Sequence, residues 1–296
     1  MPRQLISLPR HHEIMILDNF KSVLSKYEVI FFDAFGVLKT YNGLIPGIEK
    51  TFAYLKETGK DFYVVTNDAS RSPEQLAESY VKLGINDVTP DRIVSSGMLA
   101  REYLDLKVRK GIVAYVGTDN SAHYIETAEL KTLSIGKLDL NSIADVNALV
   151  FLDDEGFDWN TDLTKTLNLL RKRNIPVIVA NTDKTYPASK SRVSIAVGAL
   201  AKMIEDTIGR QFIRFGKPDP QMFIFAYQHI KNYPNVDKRN ILMVGDTLHT
   251  DILGGNKFGL DTALVLTGNT QAEDAEVRIR STGIIPTYIC VSAVVE

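Results

Sequence analysis

The sequence predicts an α/β fold: a doubly wound parallel sheet into which a second, smaller α/β domain is inserted. Three observations predict it. Short apolar runs rich in Val, Ile and Phe recur along the 296 residues, and helical patterns separate them. Runs apolar at every position are strands buried on both faces, as in a parallel sheet covered by helices. Finally, two strand-end polar positions, Thr66 and Lys217, lie 151 residues apart, and the gap holds its own strands and helices.

In chain order, VIFF (29–32) is the first buried strand, followed by the helical pattern IEKTFAYLKETG (48–59). FYVVT (62–66) is the next strand, and SPEQLAESYVKLG (72–84) the next helix, with Pro73 in its first turn after Ser72 and Gly84 past its end. IVAYVG (112–117), ALVFL (148–152) and PVIVAN (176–181) are strands of the inserted domain, with TDLTKTLNLLRKRN (161–174) a helix between the last two. The chain then returns through DPQMFIFAYQHIKN (219–232), a helix just after Pro218, to the strands ILMVG (241–245) and ALVLT (263–267). The core is therefore discontinuous, 1–82 plus 210–296, with the insertion at 83–209. No internal repeat interrupts this order.

Composition narrows the function classes. The net charge is −2, and basic and acidic residues are well mixed, so no basic stripe argues for nucleic acid. The single cysteine, Cys290, excludes an internal disulfide and a cysteine metal cluster and fits a reducing cytoplasm. The N-terminus has no signal-peptide pattern. No apolar run approaches the roughly 18 residues that a membrane span needs. A soluble globular protein is expected.

Four groups stand at the carboxyl ends of strands, where open α/β sheets bind ligands: Asp33, Thr66 with Asn67, Lys217 in FGKPDP, and Asp246 with Asp251 in GDTLHTD. Singly, each is an ordinary turn or cap residue. Together they suit phosphoryl transfer through a carboxylate. Asp33 is the nucleophile, and Asp33 and Asp246 are ligands for Mg²⁺, which uses one or two carboxylates plus the phosphate. Lys217 adds positive charge beside the phosphate. The Thr66 hydroxyl and nearby main-chain N–H groups bond the oxygens on which charge spreads. Asp251 orients a metal-bound water or pairs with Lys217.

This constellation resembles the haloacid dehalogenase superfamily of aspartate-nucleophile hydrolases. FFDAFGVL matches its first motif, VVTNDASRS its second, FGKPDPQMF its lysine motif and VGDTLHTD its acidic motif. TNDASRS, SSGMLAREYL (95–104), ANTDKTYP (180–187), VGALAKMIEDTIGR (197–210) and GLDTALVLTG (259–268) are similar to its class IIA branch, which includes phosphatases of sugar phosphates, nucleoside monophosphates, p-nitrophenyl phosphate and pyridoxal phosphate. The resemblance implies a Rossmann-like core, an inserted cap, Mg²⁺ as cofactor, and a small phosphate ester as substrate. It also implies a metal ligand in the backbone carbonyl of residue 35, and phosphate binding by Thr66, Asn67 and Lys217. Cap-mediated homodimers are common in the family.

One residue departs from the pattern. The family's phosphatases carry a general acid/base two residues after the nucleophile, and here that position is Phe35. A phenyl ring moves no proton. The substitutes are a metal-bound water, the substrate itself, Asp68 or His249. The superfamily's dehalogenases carry a similar D-A-Y-G-T, attack carbon and need no leaving-group acid, so that reading stays open, as does a non-catalytic phosphate binder. Retention of GDTLHTD and the cap's position favour the phosphatase.

In the cap, Asn181 and Asp183 of ANTDKTYP are candidate substrate contacts, since the family's loop at this place faces the core. LDDEGFDW (152–159) reads as a solvated loop, its Trp159 as a packing residue, and Cys290 as a buried small hydrophobe.

Overall fold

Six strands make the first sheet, and their order explains where its chemistry sits. The computed structural model describes residues 4–7, 14–189 and 192–296. The chain divides into two compact units: Met1–Thr66, Ala77–Val94 and Lys217–Glu296 form one, Asn67–Leu76 and Ser95–Gly216 the other. In the first unit the sheet runs Tyr288–Cys290, Asp261–Val265, Ile241–Gly245, Val29–Phe32, Asp61–Thr66, Ile93–Ser95. The four pairings from Tyr288–Cys290 across to Asp61–Thr66 are parallel. The first of these strands in the chain, Val29–Phe32, lies inside the sheet. Later strands are added first on one side of it and then, after the second unit, on the other. The order therefore reverses between Val29–Phe32 and Ile241–Gly245, and this is the topological switch point.

Burial explains the strands. Val29–Phe32, Asp61–Thr66 and Ile241–Gly245 are buried at every position, as a sheet covered on both faces requires. Helix Ile48–Glu57 buries Ile48, Thr51, Phe52 and Leu55, an i, i+3, i+4, i+7 stripe. Phe52 packs edge-on to Phe62, with centroids 5.2 Å apart, and both contact Phe32 of the central strand. Helix Pro220–Gln228 starts on Asp219, whose carboxylate accepts from Gln221 N at 2.8 Å, with Pro220 in the first turn.

The second unit repeats the architecture with its own core. Its parallel sheet runs Ile213–Arg214, Val177–Val179, Val146–Phe151, Ile112–Val116, Lys131–Ser134. Val116, Leu149, Phe151, Leu169 and Val179 are buried in one cluster with Val197 and Ala201 of helix Val197–Ile208. An antiparallel hairpin, Thr185–Ser189 with Arg192–Ile195, completes it.

In the two larger sheets, four described strands were not expected from the sequence: Ile93–Ser95, Lys131–Ser134, Ile213–Arg214 and Tyr288–Cys290. They are the edges of those two sheets. An edge strand is short and often partly polar, so it lacks the long apolar run that marks its central neighbours. These edges also move the expected boundaries. Ile93–Ser95 joins the first sheet, so 83–94 belong with the core, and Ile213–Arg214 joins the second, so 210–216 belong with the insertion. Residues 67–76 also group with the second unit. The helix expected over 219–232 ends at Gln228. Trp159 is 40% exposed at the start of helix Trp159–Lys172, its indole donating to Asp154 O at 2.9 Å, so it is no core residue. Cys290 is fully buried, and burial pushes its thiol up to about 12.

A half-buried Arg92 paired with buried Asp61 ties the edge of the first sheet to its interior. Asp61 accepts from Arg92 Nη1 at 2.6 Å, from Tyr63 Oη at 3.1 Å and from its neighbour Phe62 N at 3.1 Å. Arg92→Met leaves that carboxylate buried without its counter-charge. The expected cost is about 3 kcal/mol, read as a lower urea midpoint, with Arg92→Lys recovering part of it.

Candidate active site

Asp33 and Asp246 leave adjacent strands at the switch point. The strand register pairs Val244 with Phe32, and Asp33 N extends the ladder by donating to Val244 O at 2.9 Å. Both acids therefore emerge at the same end of the sheet. Asp251 follows on the helical segment Leu248–Ile252, its Oδ2 accepting from Thr247 N at 3.1 Å. One oxygen from each of Asp33, Asp246 and Asp251 can be chosen so that all lie within 4.8 Å of one another.

Lys217 neutralises part of this charge. Its Nζ donates to Asp33 Oδ1 at 2.5 Å and forms an ion pair with Asp251 Oδ1 at 2.8 Å. The Lys217 side chain is 3% exposed, Asp251 1% and Asp33 15%, so Asp33 is the member open to a ligand. Asp246 is buried. Its Oδ1 accepts from Thr247 Oγ1 at 2.8 Å and its Oδ2 from Asn269 N at 2.5 Å.

Two glycines make room for Asp246. A Cβ on Gly36 would stand 2.2 Å from Asp246 Oδ2, and one on Gly268 would stand 1.8 Å from it. Gly36 also has φ +83°, a left-handed conformation that lets the chain turn sharply after Phe35. Gly36 N donates to Lys39 O at 2.7 Å, and Thr267 Oγ1 donates to Gly36 O at 2.5 Å, closing the turn.

The electrostatics follow from burial. Burial pushes the Asp246 carboxyl well above the usual range, and the charges of Asp251 and Asp33 add to it. Burial raises Asp251 to about 7 against the opposing pull of Lys217. Desolvation alone would lower Lys217, but Asp251 and Asp33 outweigh it and hold the ammonium above the ordinary lysine range. Three carboxylates against one ammonium leave a net negative, oxygen-only donor set. That chemistry fits a hard divalent cation, and each Asp246 oxygen keeps acceptor capacity beyond its one donor.

Of the residues singled out in the sequence, Asp33, Lys217, Asp246 and Asp251 meet in this cluster. Thr66, buried, ends the strand beside that of Asp33. Phe35 is half-buried in the turn before Gly36. His249 is exposed. In the second unit, Asp68 accepts from Ser70 N and Oγ and from Arg71 Nη2, at 2.9, 2.6 and 2.7 Å. Asn67, Asn181 and Asp183 meet there instead: Asn67 Nδ2 donates to Asp183 Oδ1 at 2.9 Å, and Asp183 N to Asn181 Oδ1 at 2.9 Å. Sequence reasoning missed Thr247, Gly268 and Asn269. Gly268 closes the quoted GLDTALVLTG, but a main-chain N–H such as that of Asn269 leaves no residue-type signal.

The fold and this cluster define a class: α/β proteins with an inserted second unit and a lysine-bridged acidic centre at the switch point of the first. Known proteins agree. A family model described as haloacid dehalogenase-like hydrolase matches residues 30–131, and one described as HAD-hydrolase-like matches 214–290. The solved structure of a "possible sugar phosphatase, HAD superfamily" from Cytophaga hutchinsonii is 66% identical, with TM-score 0.91, covering 95% of this chain and 99% of that one. Chronophin of Bos taurus is 28% identical over 261 residues, 86% of each chain. A Mycobacterium tuberculosis glycerol phosphate phosphatase, solved with magnesium, is 25% identical with TM-score 0.75, covering 92% of this chain and 77% of that one. The chain belongs to the haloacid dehalogenase superfamily of hydrolases.

A pH dependence follows from the raised carboxyls. Between the ordinary aspartate range and about 7, folded Asp251 holds a proton that the unfolded chain has released. Stability of the metal-free protein therefore falls as pH rises through that window. Denaturation midpoints taken in EDTA across pH 4–8 should show this slope, and Asp251→Asn should flatten it.

Proposed function

We propose that the protein is a Mg²⁺-dependent phosphatase of small phosphate monoesters, sugar phosphates or similar metabolites, acting through an aspartyl-phosphate on Asp33. The observation that carries this reading is the cluster itself: a partly exposed Asp33 bonded to buried Lys217, beside two further carboxylates at the switch point. The oxygen-only donor set supports magnesium, as does the magnesium complex of the M. tuberculosis relative. Asp33, Asp246 and the carbonyl of Phe35 are its proposed ligands, with Asp251 supporting them. Bound there, the ion supplies positive charge that offsets the repulsion between nucleophile and phosphate.

The chain's own residues do the rest. An Asp33 oxygen forms a bond to phosphorus as the ester P–O bond breaks, and the leaving oxygen departs with the electron pair. Water then attacks the phosphorus as its bond to Asp33 breaks, its proton passing through solvent to the departed alkoxide, which releases phosphate and restores the Asp33 carboxylate. Lys217 holds positive charge against Asp33 and the phosphoryl oxygens. The Thr66 hydroxyl and the main-chain N–H after it donate to those oxygens, where charge develops. The second unit serves as the cap, excluding water and selecting the leaving group.

Phe35 sets the substrate preference. With no acid at that position, the departing oxygen leaves unprotonated, so the ester's own leaving-group acidity governs the first step. The exposed His249 and the engaged Asp68 offer no ready replacement. Retention of Asp246 and Asp251 beside Asp33 favours phosphorus over carbon as the target.

Net charge −2 with mixed signs fits a small-molecule partner and no nucleic acid. No described helix is long and apolar enough to cross a membrane, and the lone buried Cys290 fits a cytoplasmic setting. Exposed Val193 and Ile195 on the hairpin, at 68% and 47%, support a homodimer.

A panel of phosphate esters with Mg²⁺, read as released phosphate, tests the proposal. Asp33→Asn should lower turnover by roughly 10⁴-fold or more, as loss of a covalent nucleophile does. Equal rates in wild type and variant would leave only a binder, and turnover of chloroacetate without metal would mark a dehalogenase. Wild type should prefer p-nitrophenyl phosphate to an alkyl phosphate. Phe35→Asp should narrow that preference by up to about 10²-fold, the scale of general acid catalysis. At pH 8, Mg²⁺ at about 100 times its dissociation constant should stabilise the protein by roughly 2.7 kcal/mol, and Asp246→Asn should abolish the effect.

A further inference from the structure

Left to itself, the Asp246 carboxylate would turn easily, because the outermost torsion of an aspartate has broad wells. Here both of its oxygens are held. Oδ2 accepts from Asn269 N at 2.5 Å, and Gly36 and Gly268 lie so close that a Cβ on either would clash with it. Oδ1 accepts from Thr247 Oγ1 at 2.8 Å. A carboxylate bonded at one oxygen still swings about that bond. Bonded at both, it keeps one orientation.

Asn269 reaches both oxygens. Its main-chain N–H serves Oδ2 directly, and its side-chain Nδ2 donates to Thr247 Oγ1 at 2.8 Å. A hydroxyl has one proton to give and lone pairs to accept with. With the amide nitrogen on a lone pair, the Thr247 proton goes to Asp246. The opposite amide orientation would draw that proton to Asn269 and leave Oδ1 without its donor, so the network fixes which end is nitrogen. The stretch that carries Asn269 is tied down in turn. Buried Thr270 donates its N–H to Asp246 O at 3.2 Å. Arg278, its Nε paired with Asp274 Oδ2 at 2.6 Å, donates from Nη1 to Asn269 O at 3.1 Å.

A fixed ligand matters more to one ion than to another. Mg²⁺ is small and demands a near-ideal octahedron, whereas Ca²⁺ takes more oxygens in flexible arrangements. We propose that Thr247 and Asn269 are positioning residues that set the site's preference for Mg²⁺ over Ca²⁺, by holding the Asp246 carboxylate in one orientation. The inference rests on the proposed magnesium site and deepens it: it assigns the choice of ion to two residues outside the acidic cluster.

Calorimetric titration of the metal-free protein with Mg²⁺ and with Ca²⁺, at pH 8 and without substrate, tests this. Thr247→Val keeps the shape and removes the hydroxyl. It should weaken Mg²⁺ binding about tenfold or more, the scale for a partner of a metal ligand, and Ca²⁺ binding by less than about threefold. Thr247→Ser keeps the hydroxyl and should stay within about threefold of wild type for both ions. Asn269→Ala keeps the main-chain N–H. Alone it should weaken Mg²⁺ about threefold or more, and on top of Thr247→Val it should add less than about twofold, since its side chain acts through that hydroxyl. If Thr247→Val does not fold, Asn269→Ala, at an exposed position, carries the same comparison of ions. Denaturation midpoints in EDTA separate this from packing: lower midpoints with both dissociation constants unchanged overturn the inference. Equal weakening of the two ions, or effects of the two substitutions that multiply, overturn it as well. A wild type that takes up no Mg²⁺ overturns the magnesium site itself, and the inference with it.

Discussion

The structure depends on one buried ammonium. Lys217 lies between Asp33 and Asp251 with almost no exposure of its own. A lone buried charge costs several kcal/mol, and removing one member of such a group strands the others. Three carboxylates gathered beyond two neighbouring strands would repel one another, and Lys217 answers only part of that repulsion. The remaining negative charge makes the centre suited to a divalent cation. Without a cation, burial raises the Asp246 and Asp251 carboxyls; neighbouring carboxylates add to the rise at Asp246, while Lys217 opposes it at Asp251. An acidic centre built for function thus weakens the fold it sits in unless a cation occupies it.

Topology supplies this geometry. The strand order reverses beside Val29–Phe32, so the chain ends up with its first and fourth strands of the first sheet adjacent, and the Phe32–Val244 register brings Asp33 and Asp246 out together. In a sheet, a slip of one residue sends every side chain to the opposite face, so the buried pattern of both strands fixes the pairing of the acids as well. Gly36 and Gly268 complete the fit, since a methyl group on either would occupy the place of the Asp246 carboxylate.

The second unit has the same layered logic but uses its polar loop groups differently. Asp158 caps a helix by accepting from Thr161 N at 2.7 Å, and Asp154 accepts from Tyr186. Asp153 accepts from Thr118 Oγ1 at 3.1 Å, and burial lifts its carboxyl to about 6. The acid-rich LDDEGFDW is therefore largely structural. Its Trp159 lies at the surface because the indole serves Asp154 O at the helix start, where a core position would deny it that partner.

By itself the sequence determined the layered α/β class and the central strands, and it singled out Asp33, Lys217 and Asp246, because continuous burial and strand-end chemistry leave residue-type patterns; Lys217, expected at a strand end, lies instead in the turn before helix Pro220–Gln228. The Phe35 departure was legible for the same reason. Tertiary structure alone decided the edge strands Ile93–Ser95, Lys131–Ser134, Ile213–Arg214 and Tyr288–Cys290, and with them the unit boundaries, because short strands of mixed polarity are recruited by neighbours already in place. It also decided that Asn269 N and Thr247 hold Asp246, and that the Asn67 side chain faces Asp183. Main-chain donors and side-chain directions are set by how the chain packs, and they leave no mark in the order of residue types.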